Sequence, residues 1–420
     1  MASEHIGAMN AGLGRGLELV EGGRRIGIGP RWLARLYAGG FHRILDRIDA
    51  GLETGSLVVH LPDGTTRLLG GRAPGFAPEV TIRDWLALAR LATGGSVGWY
   101  QAWAAGEWSS PDPVPLFALF MANGESLGKI ARARGPWRLA ARAVHWFNRN
   151  TRAGAARNVH LHYDLGNDFY AAWLDPAMVY SSARFDRGAE SLAATQQDKF
   201  DTVAERVAGA KSVLEIGCGW GSLSGRLHQA GQTVTAISLS DEQLAWARAH
   251  QPAGIEFRKQ DYRDVSGQFD AVVSVEMVEA VGREFWPDFF DCIARCLVPG
   301  GRAAIQYIAI AEPLFPAYAR SADFIQTYVF PGGMLISEAE FKRLAADRGL
   351  EWRDQTSFRE DYAQTLRLWR DNFDRAVGEG RLPAGFDRRF IELWRYYLMY
   401  CEGGFRGGGI NVAQVTLLKC

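Results

Sequence analysis

The period of apolar positions changes several times along the chain. Between 30 and 48, Trp32, Leu33, Leu36, Tyr37, Phe41, Ile44, Leu45 and Ile48 recur at helical spacing with arginines between them. That spacing predicts an amphipathic helix, interrupted near Gly39-Gly40. Residues 56–61 and 65–69 are short β-rich runs joined by Pro62-Asp63-Gly64, a hairpin signal. Helices are expected over 82–91 and 116–121, with the aromatic stretch Trp99, Tyr100, Trp103, Trp108 between them. Residues 1–125 thus read as a small, mainly helical domain with one hairpin. Its tryptophans suit a core or a lipid-facing surface, and core is the better fit because aromatics supply packing area.

From 213 onward the pattern alternates short apolar runs with helical ones. Strands are expected at 213–216, 233–238, 255–257, 271–275, 302–308 and 412–418. Helices are expected at 196–207, 241–250, 285–297, 337–346, 362–377 and 390–399, with 311–334 as a loop or lid. Repeated βα units of this spacing predict an α/β fold: a mostly parallel Rossmann-like sheet with helices on both faces. Ligands then bind beyond the carboxyl ends of the strands. The chain divides accordingly into 1–125, a linker at 126–163, and 164–420.

Composition narrows the class. With 420 residues, 47% apolar and 22% charged, the chain has material for two globular domains. Net charge is zero, which gives no pointer to nucleic acid. The five cysteines lack C-x-x-C spacing, so neither a disulfide framework nor a zinc site fits, and a reducing cytoplasm does. No apolar run approaches a membrane span. Locally, 126–163 holds Lys129, Arg132, Arg134, Arg138, Arg142, Arg149, Arg152 and Arg157, no acidic residue after Glu125, and interleaved Trp137, Trp146 and Phe147. Such a segment is either a solvated linker or a surface for anionic phospholipid headgroups.

Three stretches carry candidate chemistry. In 213–223 (VLEIGCGWGSL) a strand runs through Gly217, Gly219 and Gly221 into a helix start, which lets a ligand approach the backbone. No Lys-Ser/Thr follows, so this is not an ATP-binding P-loop. Asp261 at a later strand end suits the exocyclic amine of adenine. Residues 162–185, dense in polar, glycine and aromatic residues, make a poor core element and are expected to lie over the ligand. In 274–282 (SVEMVEAVG) Glu276 and Glu279 are three apart, on one face if a helical turn begins there; otherwise they are solvated acids on a loop.

These pieces resemble the cyclopropane-fatty-acyl-phospholipid synthases. The matching segments are HYDLGNDFYAAWLD (162–175), VYSS (179–182), the glycine turn, SLSDEQ (238–243), QDYRD (260–264), FDAVVSVEMVEAVG (269–282), FPGG (330–333), DYAQTLRLW (361–369) and 396–417. More loosely, 95–112 resembles the bacterial family's N-terminal domain. The resemblance implies S-adenosylmethionine as methyl donor and an unsaturated phospholipid acyl chain at the inner face of a membrane as acceptor, with cyclopropane as product. It places Tyr180, Ser181, Gly217, Gly219, Ser238, Gln243, Asp261 and Tyr262 at the methyl donor. Tyr307, Phe185 and Tyr362 become candidates for an aromatic lining of the chain cation, each equally suited to core. Family members often dimerise through the N-terminal domain.

The departures concern the base. The family holds bicarbonate with a cysteine backbone group, a glutamate, a histidine, an isoleucine backbone group and a tyrosine. Here Glu279, Ile308 and Tyr362 match, but Ser182 stands at the cysteine position, Gln306 at the histidine and Glu276 at a glycine. The expectation is that Glu276 takes the anion's place as proton acceptor, since a second fixed carboxylate repels bicarbonate. The alternative keeps Glu276 in solvent and bicarbonate on Glu279 and Tyr362. A changed base also admits a methylene- or methyl-branched product, which needs a reductase partner to become saturated. A methyltransferase for a soluble small molecule and a non-catalytic lipid-binding protein are the competing classes.

Overall fold

The computed structural model describes residues 15–21, 38–128, 165–320 and 322–420. Most of the predicted basic linker, the first half of the 30–48 helix and His162–Asp164 of the 162–175 motif lie outside them. The chain forms two compact units, and neither is continuous in sequence.

The first unit comprises Met1–Asn148, Pro313–Pro331 and Leu382–Gly409. It therefore includes two pieces of what the sequence assigns to 164–420. The physical reason is packing: the Arg388–Arg406 helix carries Gly403 and Gly407 where any side chain would strike Phe117, Ala118 or Met121 of the Pro113–Ala122 helix. Small residues there let the two helices approach closely. The expected hairpin is present as β1 (Ser56–His60) and β2 (Thr66–Gly70). Two strands were not legible, β3 (Glu79–Ile82) and β4 (Trp108–Ser109), which complete a sheet of order β2-β1-β3-β4. Trp99 and Trp108 are core, stacked with centroids 4.3 Å apart. The expected loop at 311–334 contains a helix, Phe324–Tyr328, capped by Asp323 and Gln326. Phe324 is fully buried against Tyr100 and Tyr396.

The second unit comprises Arg149–Glu312, Gly332–Arg381 and Ile410–Cys420. Its strands are β5 (Ser212–Ile216), β6 (Thr233–Ser238), β7 (Glu256–Lys259), β8 (Phe269–Val275), β9 (Leu297–Ile310), β10 (Ile336–Ser337), β11 (Leu350–Ser357) and β12 (Ile410–Lys419). They form one sheet in the order β11-β12-β9-β8-β5-β6-β7, with β10 beside β9. β7 through β9 run parallel; β12 is antiparallel to β9 and β11 antiparallel to β12. This is the expected α/β class. Only β10 and β11 went unforeseen, and β11 alternates mostly exposed positions, so it lacks the apolar run that marks a buried strand.

Three residues of 165–185 depart from the expectation that this stretch makes a poor core element. Phe169, Tyr170 and Trp173 are buried core, packed edge to face on one another and on Trp369 and Phe373. Two polar side chains of this stretch, Asp175 and Asn167, find partners, which helps it go inside. Asp175 accepts from the N–H groups of Ala177 and Val179, both at 3.0 Å, and Asn167 accepts from the Trp220 indole at 2.8 Å.

Candidate active site

Two loops at the carboxyl ends of neighbouring parallel strands define the site. After β5 the chain turns through Gly217 (φ +81°) and Gly219 (φ +52°) before the Ser222–Gln229 helix. The N–H groups of Gly217 and Cys218 both donate to Ile237 at the end of β6, at 3.0 Å. A Cβ on Gly217 would press on Met277, whereas one on Gly219 would meet nothing within 4 Å. The backbone at Gly219 is thus open to a ligand. Ser238, at the tip of β6, donates to Gln243 Oε1 at 3.1 Å and accepts from the Ser240 N–H.

Beyond β7, both carboxylate oxygens of Asp261 are held by Arg263, at 2.8 and 2.6 Å. The Arg263 guanidinium also lies over the rings of Tyr262 and Phe285. Tyr262 is buried, its hydroxyl 3.4 Å from the Phe285 carbonyl. Tyr180 packs among Tyr170, Trp173 and Trp369. Ser181 is buried, its carbonyl accepting from Gln196 at 2.9 Å.

After β8 the chain makes a different turn. Glu276 has φ +51°, the left-handed region, and its N–H donates to the Gln306 carbonyl at 2.8 Å. A left-handed residue cannot join a right-handed helix, so the helical turn begins two residues later, at Val278–Val281, and holds Glu279 alone. The two carboxylates therefore do not share a helix face. The turn aims the Glu276 side chain at three donors. Oε1 accepts from the Ser182 N–H at 2.9 Å and from Gln306 Nε2 at 2.7 Å; Oε2 accepts from the Tyr362 hydroxyl at 2.7 Å. Gln306 has no freedom to flip, because Gln414 Nε2 donates to its Oε1 at 3.0 Å, and Gln414 Oε1 is 2.9 Å from Thr202. Glu279 Oε1 accepts from the Ile308 N–H, and its Oε2 is shielded from solvent without a hydrogen bond.

Burial raises the Glu276 carboxyl above its ordinary range, against the pull of its hydrogen bonds and of Lys199. Burial pushes Glu279 up to about 8, and the neighbouring Glu276 charge adds to the rise. Sequence reasoning missed two further groups. Lys199 is fully buried and donates to Ser181 Oγ at 2.6 Å; desolvation lowers it to about 7. Glu215 of β5 is buried on Ser224, and desolvation raises it to about 7. The available signal was the row Thr195, Gln196, Lys199, Thr202, a polar stripe at helical spacing that normally marks a solvated face. Here the whole stripe is inside.

Of the residues suited either to a cation lining or to core, Tyr307 takes the core. Tyr307 packs on Phe341 and Trp352, while its neighbour Gln306 faces Glu276, because strand side chains alternate. Tyr307 is core.

The family model for mycolic acid cyclopropane synthetase matches residues 150–415, well over half of the chain. The chain belongs to that family. The tuberculostearic acid methyltransferase of Mycobacterium tuberculosis is 38% identical over 394 residues, covering 86% of this chain and 88% of that protein. The cyclopropane-fatty-acyl-phospholipid synthase of Escherichia coli K12 is 29% identical over 367 residues, covering 84% and 90%. Among solved structures, a mycolic acid cyclopropane synthase complexed with SAH and CTAB superposes with a TM-score of 0.58 at 28% identity, over 63% of this chain and 98% of that one. As a family member, the protein is an S-adenosylmethionine-dependent methyltransferase acting on lipid acyl chains or related lipids.

Proposed function

We propose that the protein methylates the double bond of an unsaturated phospholipid acyl chain, with Glu276 as a built-in base in place of bicarbonate. The observation that carries this is the Glu276 carboxylate seated on Ser182 N–H, Gln306 and Tyr362. Three of the groups that the resemblance gives to bicarbonate are spent on it, and the Ile308 N–H is spent on Glu279. Bicarbonate does not fit a cradle so filled. The residues proposed at the methyl donor are Tyr180, Ser181, Gly217, Gly219, Ser238, Gln243, Asp261 and Tyr262. The open backbone at Gly219 supports this, and Asp261 must exchange Arg263 for the adenine amine.

The alkene π-pair attacks the sulfonium methyl: a C–C bond forms, the C–S bond breaks, S-adenosylhomocysteine leaves and a chain carbon becomes cationic. Glu276 then accepts a proton from the new methyl group. A base whose carboxyl sits above its ordinary range is suited to that transfer near neutral pH. If a hydride first moves from the methylated carbon to its cationic neighbour, the released electron pair makes a methylene branch. Without that shift it closes a cyclopropane. The branched outcome is favoured by the likeness to a tuberculostearic acid methyltransferase over 86% of the chain, and it calls for a separate reductase to saturate the branch. The cyclopropane outcome is favoured by the likeness to the E. coli synthase.

The acceptor is taken at a membrane surface. Among the described residues no helix is long and apolar enough to cross a membrane, and the basic, aromatic-bearing stretch 126–163 suits anionic headgroups at the cytoplasmic face. Homodimerisation through the N-terminal region fits the same family pattern.

The deciding test combines methyl-labelled S-adenosylmethionine with mono-unsaturated phospholipid vesicles and mass spectrometry of the released esters. A labelled one-carbon gain is expected. Uptake of two hydrogens on mild hydrogenation marks a methylene branch, and indifference to it marks a cyclopropane. Absence of labelled lipid overturns the acceptor class.

A further inference from the structure

We propose that Lys199 is a positioning residue for the base. Its ammonium holds the Ser181 hydroxyl, fixing the turn that offers the Ser182 N–H to Glu276, and supplies the counter-charge that keeps the Glu276 carboxylate ionised.

The argument starts from an expensive arrangement. A lysine with no solvent exposure is rare, because an ammonium loses its hydration unless other groups replace it. Lys199 lies on the buried face of the Leu192–Arg206 helix, and Nζ reaches Ser181 Oγ at 2.6 Å. The same helix grips the same turn twice more: Gln196 Nε2 donates to the Ser181 carbonyl at 2.9 Å, and the Arg184 N–H donates to the Thr195 carbonyl at 3.2 Å. The next residue after Ser181 donates its N–H to Glu276. The helix thus builds one wall of the Glu276 cradle, and Lys199 brings a positive charge to it.

The neighbouring charges point the same way. Lys199 is faced by Glu276, Asp175 and Glu215. Asp175 is engaged by the N–H groups of Ala177 and Val179, and Glu215 by Ser224. Glu276 is faced by Lys199 from this helix, by Tyr362 from the Arg359–Gly378 helix and by Glu279 from the turn after β8. Lys199 is the one cation of that set. Arg184, also buried, is paired instead with Asp186 and Asp361. A nearby positive charge favours the ionised carboxylate and a nearby carboxylate opposes it. Burial pushes Glu276 toward its neutral form, which is no base. Lys199 opposes that push.

This inference rests on Glu276 being the base, and the test separates the two. The pH dependence of turnover on mono-unsaturated phospholipid vesicles is measured for the full-length wild type, Lys199→Gln, Lys199→Arg and Glu276→Gln. Folding is checked by circular dichroism and S-adenosylmethionine affinity by calorimetry. Lys199→Gln keeps a donor for Ser181 and removes the charge. Its acid limb is expected to move up by about one pH unit, a roughly tenfold loss of rate on the acid side that recovers on the alkaline side. Lys199→Arg is expected to keep the wild-type limb. A folded Lys199→Gln enzyme with an unmoved limb and a uniformly lower rate overturns the proposal while Glu276→Gln stays inactive. An active Glu276→Gln enzyme overturns the base assignment itself. Should Lys199→Gln fail to fold, nitrogen-15 NMR of the lysine Nζ groups decides. Lys199 is expected to titrate at lower pH in Glu276→Gln than in wild type, and an unchanged titration overturns the coupling.

Discussion

The loops after β5 and β8 use one backbone device for opposite ends. Both take the left-handed region at the carboxyl end of a parallel strand. After β5 the residues that do so are glycines, which adopt it without strain and leave the backbone bare at Gly219. After β8 it is Glu276. An L-residue there costs about 1 kcal/mol or more, and what the protein gains is a carboxylate turned onto three donors. The first loop makes room for a ligand, and the second fills a place with its own side chain. Strain is tolerated where the side chain it turns gains three hydrogen bonds.

The largest expected effect breaks the second loop alone. Glu276→Gln should lower turnover by about 10²–10⁴-fold, the usual worth of a general base, and leave S-adenosylmethionine binding intact by calorimetry. Glu276→Gly sharpens the comparison by making both loops glycine turns. It should be inactive in bicarbonate-free buffer and recover activity when bicarbonate is added, while the wild type ignores bicarbonate. A wild type that needs bicarbonate would contradict the filled cradle.

A smaller effect is expected at the first loop. Gly219→Ala has space for its methyl group in the unliganded protein but keeps φ +52°. It should lose about 1 kcal/mol of stability in denaturant titration, with a separate, larger loss of S-adenosylmethionine affinity if the donor lies against this backbone. Equal affinity in wild type and variant would move the donor elsewhere. Gln414→Leu frees the Gln306 amide and should slow turnover about tenfold with little change in affinity, the scale of one lost hydrogen bond to a charged group.

Stability should also report the buried carboxyl beside the cradle. Glu279 titrates near 8 in the folded protein against 4.5 when unfolded, so the native state binds more protons across that window. Unfolding free energy should fall as pH rises from about 4.5 to 8 and level above it. Lys199, lowered from 10.5 to about 7, acts with the opposite sign above 7. The comparison is therefore cleanest below 7, where Glu279→Gln should show a shallower decline than wild type in melting temperature against pH. The smallest effect is expected for Tyr307→Phe. Its hydroxyl is buried without a hydrogen bond, so turnover should stay unchanged and stability should hold or rise slightly.

The sequence by itself determined the α/β class, the places of its main strands along the chain, the glycine turn at 217–221 and, through the family resemblance, the presence of Ser182, Gln306 and Glu276 at three positions where the family differs. Those features are local. A β-rich run followed by glycines and a helix start has few other conformations, and a changed residue in a motif is visible wherever the chain folds. Tertiary structure alone decided the rest. Nothing in the row Thr195, Gln196, Lys199, Thr202 separates a buried polar face from a solvated one, because that depends on Ser181 and Gln414 arriving from elsewhere. The same holds for Phe169, Tyr170 and Trp173, which became core once their polar neighbours found partners. It holds for Tyr307, assigned to the far face by β9 register. Spacing allowed Glu276 and Glu279 to share one helix face if a helical turn began there, or to be solvated acids on a loop. The ladder between β8 and β9 continued one residue further, through the Glu276 N–H to Gln306, and set that carboxylate apart.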